Sequence, residues 1–492
     1  MDQSTALDRL IIGAGEISRK KTDWEHRDGY FHGTKQRLPF APEGVSQEYM
    51  ELREQAPANW LGLAMNTPVQ RISVEGFKKP GQARPDSKFW ENAWVANGMQ
   101  RAFRLALQAM MVHDFGVLSA WENVDKRSQP ISRVESGSRI HLERDPQDPT
   151  RTAWAVKTYT ERIRAKSQLV LPANLQASVA QSREWGFVYD DHTWFRFYRD
   201  NGSGMWVYAA DGVNPLGECP FTPLSLNADA NGDLYPSIVP LIPQQDALNT
   251  IRFNTLLAMQ FSAYRQRVFT AYDPVIKDED GKIVWQKNAD GTIKLDTQGQ
   301  PMPLLSSPGR IGVDRALVFP GKDTRVFDLP ESDLNNYVVV LQEFLTQLFA
   351  TGQIPPQYLL NKMANLSGDA MAGAESTLQA LISDIWQVVD DALVDHARKL
   401  TRAAGQSVGK GHTVVRGDGE VRSFAQMIDA IVKLVQVGLP RQSAFEMVPG
   451  ATPWVVEDWM KLAEQEARSP YLQTLDAKDA ADAEAAAALG GD

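Results

Sequence analysis

Two long helical patterns separated by a short, turn-rich insertion constrain this 492-residue chain more than any other feature. From about Gln244 to Tyr272, Leu248, Ile251, Thr255, Leu256, Met259 and Ala263 recur at three- and four-residue steps. That spacing predicts one apolar face on a helix about 40 Å long. Arg252, Asn254, Arg265 and Arg267 interrupt it, so neither a fully buried helix nor a membrane span fits. The insertion, Pro274 to Leu329, is punctuated by Asp280-Gly281, Asp290-Gly291 and Gln298-Gly299, with short alternating runs at Ile283–Trp285 and Ile293–Leu295. Those dipeptides predict tight turns between small strands. The second helix opens after Pro330, with Ser332 as N-cap and Asp333 in the first turn, where the helix dipole favours an acid. Leu334, Val338, Leu341, Leu345 and Leu348 form its stripe, and Gly352 with Pro355-Pro356 stops it.

Around this pair the chain reads as mixed α and β. The polar first 24 or so residues suggest a loose arm or a short helix. Tyr30-Phe31-His32-Gly33 and Leu38-Pro39-Phe40-Ala41-Pro42 are expected to form an ordered loop. Trp60 to Phe77 reads as a helix followed by a strand, and Ser87 to Phe115 as one or two amphipathic helices. Alternation over Arg139–Ile163 and Glu184–Ala210 predicts strands, with a hairpin turn at Asp200–Gly204. A third long helix carries Leu378, Leu381, Ile382, Ile385, Val388, Val389, Leu393 and Leu400 up to Gly405. Shorter helices follow at Phe424–Val437, Gln442–Val448 and Pro453–Glu466, and Ala477–Asp492 reads as an acidic, alanine-rich tail. No internal repeat is evident.

Familiar chemistry is missing. Single Cys219 excludes an intrachain disulfide framework and a cysteine zinc knuckle, and points to a reducing compartment. No secretory signal opens the chain, and no window reaches the ~20 apolar residues of a membrane span. Gly13-Ala14-Gly15 imitates a dinucleotide fingerprint, but Ser18 replaces the third glycine and no βαβ unit surrounds it, so a local turn is expected. Gly405–Gly411 has the wrong spacing for a phosphate loop, and Gly202-Ser203-Gly204 is too tight for a nucleophile elbow. The seven histidines, His26, His32, His113, His141, His192, His396 and His412, are dispersed without metal-ligand spacing. Acid clusters Asp278-Glu279-Asp280 and Asp390-Asp391 read as solvated faces. No catalytic residue, cofactor site or metal site is expected from these patterns.

The order of elements resembles the portal proteins of long-tailed bacteriophages, an α+β fold. Tyr30-Phe31-His32-Gly33 with Leu38-Pro39-Phe40 and Pro42 is similar to that family's opening block; Asn59-Trp60-Leu61 and Val74-Glu75-Gly76-Phe77 resemble its second. Trp90, Trp94 and Asn97 resemble the following helix. Asn214–Gly217, Pro220-Phe221 and Gly232 to Asn249 resemble the approach to the first long helix, and Phe327–Pro330 with Asp333–Asn336 the start of the return helix. Gly352–Leu359, Asn365–Ala370 and Ala374-Glu375 resemble its most recognisable segment. The resemblance spans about residues 25–465.

It implies a mixed α/β wing with an N-terminal arm (1–240), a stem helix (241–271), a small β-containing clip (272–330) and a stem return helix (331–353). A tunnel loop and long wing helix (354–404), a helical crown (405–468) and an acidic tail (469–492) complete it. Such proteins form a dodecameric ring at one capsid vertex, assembled in the host cytoplasm and carried in the virion. Double-stranded DNA passes through the ring, driven by a separate terminase large subunit. Major capsid and scaffolding proteins and a head-completion adaptor are the other implied partners; no membrane is involved. The implied tunnel-loop residues are Asn361, Lys362, Met363 and Asn365, with Lys362 either touching phosphates or bonding a neighbouring subunit. The stem stripes, Leu248, Ile251, Leu256 and Met259 with Leu334, Val338, Leu341 and Leu345, would pack both within the chain and against neighbours. Another head-assembly or adaptor protein is the nearest alternative; an enzyme using Asp278, Glu279, Asp390 and Asp391 is a more distant one.

Acidity agrees with a conduit. The charge is 51 − 61 = −10. Duplex DNA carries one charge per about 1.7 Å, so a strongly basic wall would grip it through counterion release, and a net-negative one lets it slide.

Overall fold

The computed structural model describes residues 1–40, 47–82, 84–148, 151–162, 182–200, 204–229, 232–263, 267–270, 275–305, 325–328, 334–355, 368–407, 411–417, 424–448, 451 and 454–465. The helices are α1 (Gln3–His32), α2 (Gln47–Gln55), α3 (Trp60–Val69), α4 (Met99–Val112), α5 (Ile242–Ala263), α6 (Leu334–Thr351), α7 (Gly368–Ala403), α8 (Phe424–Gln436), α9 (Arg441–Glu446) and α10 (454–465). The strands are β1 (Val74–Lys78), β2 (Gly116–Trp121), β3 (Ile131–Glu135), β4 (Ile140–Arg144), β5 (Thr152–Arg162), β6 (Ser182–Tyr189), β7 (Thr193–Asp200), β8 (Val207–Val213), β9 (Phe221–Leu224), β10 (Arg267–Thr270), β11 (Arg325–Asp328) and β12 (Thr413–Arg416). This is the α+β class expected. The chain divides into two compact units, one of Met1–Leu38, Pro57–Asn249 and Gln342–Asp492, the other of Pro39–Ala56 and Thr250–Leu341.

The first unit is built on a five-stranded antiparallel sheet, β4-β5-β6-β7-β8, and a three-stranded one, β3-β2-β9. The hairpin expected near residue 200 is present, Tyr198 pairing with Val207. The N-terminal residues are neither a loose arm nor a short helix: α1 is 30 residues long and lies across the sheet. Its Ala6 and Leu10 pack on Val156, Val188, Phe195 and Phe197, while Trp24 packs with Phe115, Val117, Ile140, Ala155, Cys219 and Phe221. The Gly13-Ala14-Gly15 segment is helical, not a turn. A Cβ on Gly13 would sit 2.6 Å from the Val156 side chain, so this glycine serves close helix–sheet approach. Tyr30 to His32 are helical too, and Gly33 caps α1 in the left-handed conformation. The loop expected from residue 30 therefore begins only after that cap.

Ser87–Asn97 is a run of short irregular helical turns leading through Gly98 into α4, consistent with the helices expected there. The long helix α7 buries Leu378, Ile382, Ile385, Val389, Leu393 and Leu400, most of the predicted stripe. Met427 and Ile431 of α8 pack with Ala444 of α9.

In the second unit β10 pairs antiparallel with β11, Arg267 opposite Asp328. The first long helix does not continue to Tyr272: it is described as far as Ala263, and Arg267–Thr270, expected within it, are strand β10. Residues 275–305 form a module with threefold backbone repetition that the sequence reading did not detect. Ile276 N–H donates to Leu304 O (2.9 Å), Leu304 N–H to Val284 O (2.7 Å) and Val284 N–H to Ile276 O (2.9 Å), closing a triangle. A second triangle joins Gln286, Met302 and Lys294 through bonds of 2.8–2.9 Å. Turns at Asp278–Lys282, Asn288–Thr292 and Asp296–Gln300 connect the edges, with Gly281, Gly291 and Gly299 at φ of 80°, 85° and 80°. The small strands expected here are thus isolated bridges such as Lys277–Ile283 and Lys287–Ile293. No residue of the module is buried.

Candidate functional site

The root of α5 is where the quoted sequence blocks meet. Gln245 and Asn249, four residues apart, occupy one face of α5 and are fully buried. Buried amides must find partners, and these do. Gln245 Nε2 donates to Ala58 O (2.6 Å) and to Asn249 Oδ1 (2.8 Å), and Gln245 Oε1 accepts Trp60 N–H (3.2 Å). Asn249 Oδ1 accepts Ala58 N–H (3.2 Å), while its Nδ2 donates to Gln36 Oε1 (2.7 Å). The loop before α3 is thereby fastened to α5 through its backbone.

Tyr30 Oη, at the end of α1, donates to Asp246 Oδ1 (2.6 Å) and accepts Arg37 N–H (3.2 Å). Burial, reinforced by the Asp246 carboxylate, pushes the Tyr30 phenol up to about 12. Asn59 caps α3 by accepting Gly62 N–H (2.9 Å) and donates to Phe31 O (2.9 Å). Three blocks widely separated in sequence, around Tyr30, Asn59-Trp60 and Gln245–Asn249, thus form one polar anchor. The sequence reading missed these roles. The available signal was the four-residue spacing of two amides within an otherwise apolar helical face.

The end of α6 belongs to the same region. Trp60 meets Phe349 edge-to-face at 6.2 Å, and Gln244 Nε2 donates to Thr351 Oγ1 (3.1 Å). Gly352 is not the left-handed stop. Gln353 takes that conformation, φ 54°, and Ile354 N–H returns to Phe349 O at 2.8 Å.

A second anchor fixes α7. Buried Lys399 donates to Phe221 O (2.7 Å) and Thr222 Oγ1 (3.0 Å) and pairs with Asp395 (2.7 Å). Arg398 and Arg402 both reach Glu218 at 2.6 Å. Lys399 holds the Asp395 carboxyl below its ordinary value despite burial. His396 Nε2 lies 2.8 Å from Ser132 Oγ, both groups buried; burial followed by the Lys399 charge lowers the imidazole to about 3. Glu218, Thr222, Asp395, Arg398, Lys399 and Arg402 line a cleft of about 820 Å³ whose acids and bases largely neutralise one another.

The predicted stem residues separate by burial. Leu248 and Leu345 are buried; Ile251, Leu256, Leu334 and Leu341 are half-buried. Met259 (51%) and Val338 (45%) are exposed, as are Val339 (56%) and Val340 (44%). Asn361, Lys362, Met363 and Asn365 lie outside the described residues, as does the acidic tail.

Of the four acids weighed for catalysis, Asp278 and Glu279 belong to one unit and Asp390 and Asp391 to the other. Asp278 Oδ1 accepts the Asp280 and Lys282 amides (3.1 and 2.8 Å), and Asp390 pairs with Arg416. Among the described residues no cluster of three metal-ligating side chains occurs, and no helix is long and apolar enough to cross a membrane.

The two long helices α5 and α6 are thus anchored at their roots and leave apolar side chains exposed along their flanks. The profile of the family described as "Phage portal protein, SPP1 Gp6-like" matches residues 16–469. The chain belongs to that phage portal protein family. Among its relatives, the portal protein of Mycobacterium phage L5 is 22% identical over 342 residues, 64% of this chain and 58% of the relative. That of Mycobacterium phage D29 is 23% identical over 343 residues, 64% and 59% respectively. The chain therefore spans less than two thirds of the length of these relatives.

Proposed function

We propose that the protein is the ring-forming channel of a phage capsid vertex, through which terminase packages double-stranded DNA and through which the genome later leaves. The observation that carries this reading, given the family, is the uncovered apolar surface of α5 and α6. Met259 and Val338–Val340 stand in water in a single chain, and neighbouring copies would cover them. In this reading 241–271 and 331–353 are the stem, 272–330 the clip, 405–468 the crown, and 1–240 with the later long helix the wing.

The triangular module of the clip, without a buried residue, offers its surface to neighbours, to terminase during filling and to the head-completion adaptor afterwards. The segment near Tyr358 to Gly368 would be the tunnel loop, with Lys362 touching passing phosphates, and Asn361, Met363 and Asn365 beside it. The protein is structural, nucleates the shell with capsid and scaffolding proteins in the host cytoplasm, and ends in the virion. Native mass spectrometry and negative-stain imaging of the purified chain test this. A closed ring with a central hole, twelve subunits in the assembled virion, is expected. A monomer or an open multimer without a pore overturns it, the latter favouring another head-assembly role.

A further inference from the structure

One face of α5 carries Leu248, Arg252, Leu256 and Met259 at steps of four, four and three residues. Arg252 is thus a single cation inside an apolar stripe. It is half-buried and, among the described residues, makes no hydrogen bond or ion pair. Burial alone draws its guanidinium below the ordinary value. A desolvated, unpaired charge is costly, and the cost is relieved when an opposite charge closes over it. On α6, Val339, Val340 and Glu343 share the outward face, again a single charge within exposed apolar surface. The side-chain contact of Glu343 is with its own helix, Gln347 Nε2 donating to Oε1 at 3.2 Å. Among the described residues neither side chain makes an ion pair.

Their positions along the helices match. Gln244 Nε2 donates to Thr351 Oγ1 at 3.1 Å, tying the start of α5 to the end of α6. Arg252 lies eight residues after Gln244, and Glu343 eight residues before Thr351. At 1.5 Å per residue each is about 12 Å along its helix from that bond. Contacts in a closed ring are heterologous, so each subunit must present two different, complementary surfaces. If the ring axis runs along these helices, groups at equal height stay level between copies.

We infer that Arg252 of one copy pairs with Glu343 of a second copy, a buried ion pair that sets the register between neighbouring helix pairs. This rests on the ring reading above. Duplex DNA is the other anion that could meet Arg252, but half-buried Leu256 and exposed Met259 follow it on the same helix face. A surface so apolar calls for protein cover, whereas a wall facing DNA would be hydrated and polar.

Charge reversal tests the pair in the full-length chain, with native mass spectrometry reading the ring fraction and thermal unfolding confirming the fold. Arg252→Glu and Glu343→Arg should each weaken assembly more than ~tenfold, and the double reversal should recover most of the loss. Arg252→Gln and Glu343→Gln, milder in their effect on folding, should each weaken it less and in the same direction. Wild-type rings whose assembly is unchanged by the single substitutions overturn the pair. So does a folded double reversal that assembles no better than the singles. Rings of Arg252→Glu that assemble normally but lose retention of a linear duplex assign the cation to DNA and also overturn the pair. A wild-type chain that forms no ring overturns the ring reading itself, and the pair with it.

Discussion

His396 shows how much a single buried group can report. The unfolded chain takes up its imidazole proton near pH 6.5, whereas the folded chain, burying the ring beside Lys399, accepts it only near 3. Between those values the unfolded state binds more protons, so stability falls as pH drops from 6.5 toward 3. His141 and His412, also lowered by burial, act in the same sense. One such group contributes up to about 1.4 kcal/mol per pH unit. Thermal unfolding at pH 7, 5.5 and 4.5 should therefore show a shallower acid loss for His396→Gln than for the wild type, even if the variant is less stable at neutrality. Equal slopes would assign the acid sensitivity elsewhere. Gln353 supplies a prediction of opposite sign. A side chain in the left-handed conformation costs about 1 kcal/mol, so Gln353→Gly should stabilise by roughly that amount in chemical denaturation. A loss instead would mean that the Gln353 side chain contributes more than its backbone strain costs.

Legibility differs between elements for identifiable reasons. The stripe of α7 was readable because Leu378, Ile382, Ile385, Val389 and Leu393 are large and face one core. In α1 the spacing is as regular, with Ala6, Leu10, Gly13, Ile17 and Trp24 at helical steps. Two of those five are too small to register as apolar, and Ile11 and Ile12 stand exposed beside them. A close-packed helix therefore looked like a polar arm. The anchor at Gln245 and Asn249 was hidden because its partners are mostly backbone atoms near Ala58, which leave no side-chain pattern. In the 275–305 module the turns were legible from their glycines, but the closing triangles are backbone bonds and invisible to hydropathy. Those turns carry the module, since no side chain in it is buried. Gly291→Ala, forcing a Cβ into φ 85°, should cost about 1–2 kcal/mol locally. Amide hydrogen exchange at Gln286, Lys294 and Met302 should accelerate roughly tenfold while β5 to β7 stay unchanged. If those three amides keep their protection, the turn does not limit the opening of the module.

At the scale of the whole molecule, exposed apolar side chains occur in loops and strands as well, but on three helices they form runs. Val338, Val339 and Val340 of α6, Met259 of α5, and Ile428, Val432 and Val435 of α8 are all exposed. The stripe on α8 is opposite in role to Met427 and Ile431, which that helix already buries against α9. Isolated exposed valines need no explanation, but runs of them along helices with one covered face do. Folding of the single chain and assembly of the ring should therefore respond to different residues. Val339→Asp places a charge on surface that the folded chain leaves in water, so subunit stability should change by no more than ~0.5 kcal/mol. The same carboxylate, enclosed in a subunit contact, would be a buried and unpaired charge. Purified Val339→Asp should then unfold at the wild-type temperature when both are monomeric, while its ring fraction collapses. Leu348→Ala gives the converse control: its side chain is fully buried in α6, and its loss should lower subunit stability by about 2–5 kcal/mol. If Val339→Asp assembled as well as the wild type, this face of α6 would not be a contact between copies, and the case for covered stem helices would have to stand on α5 alone.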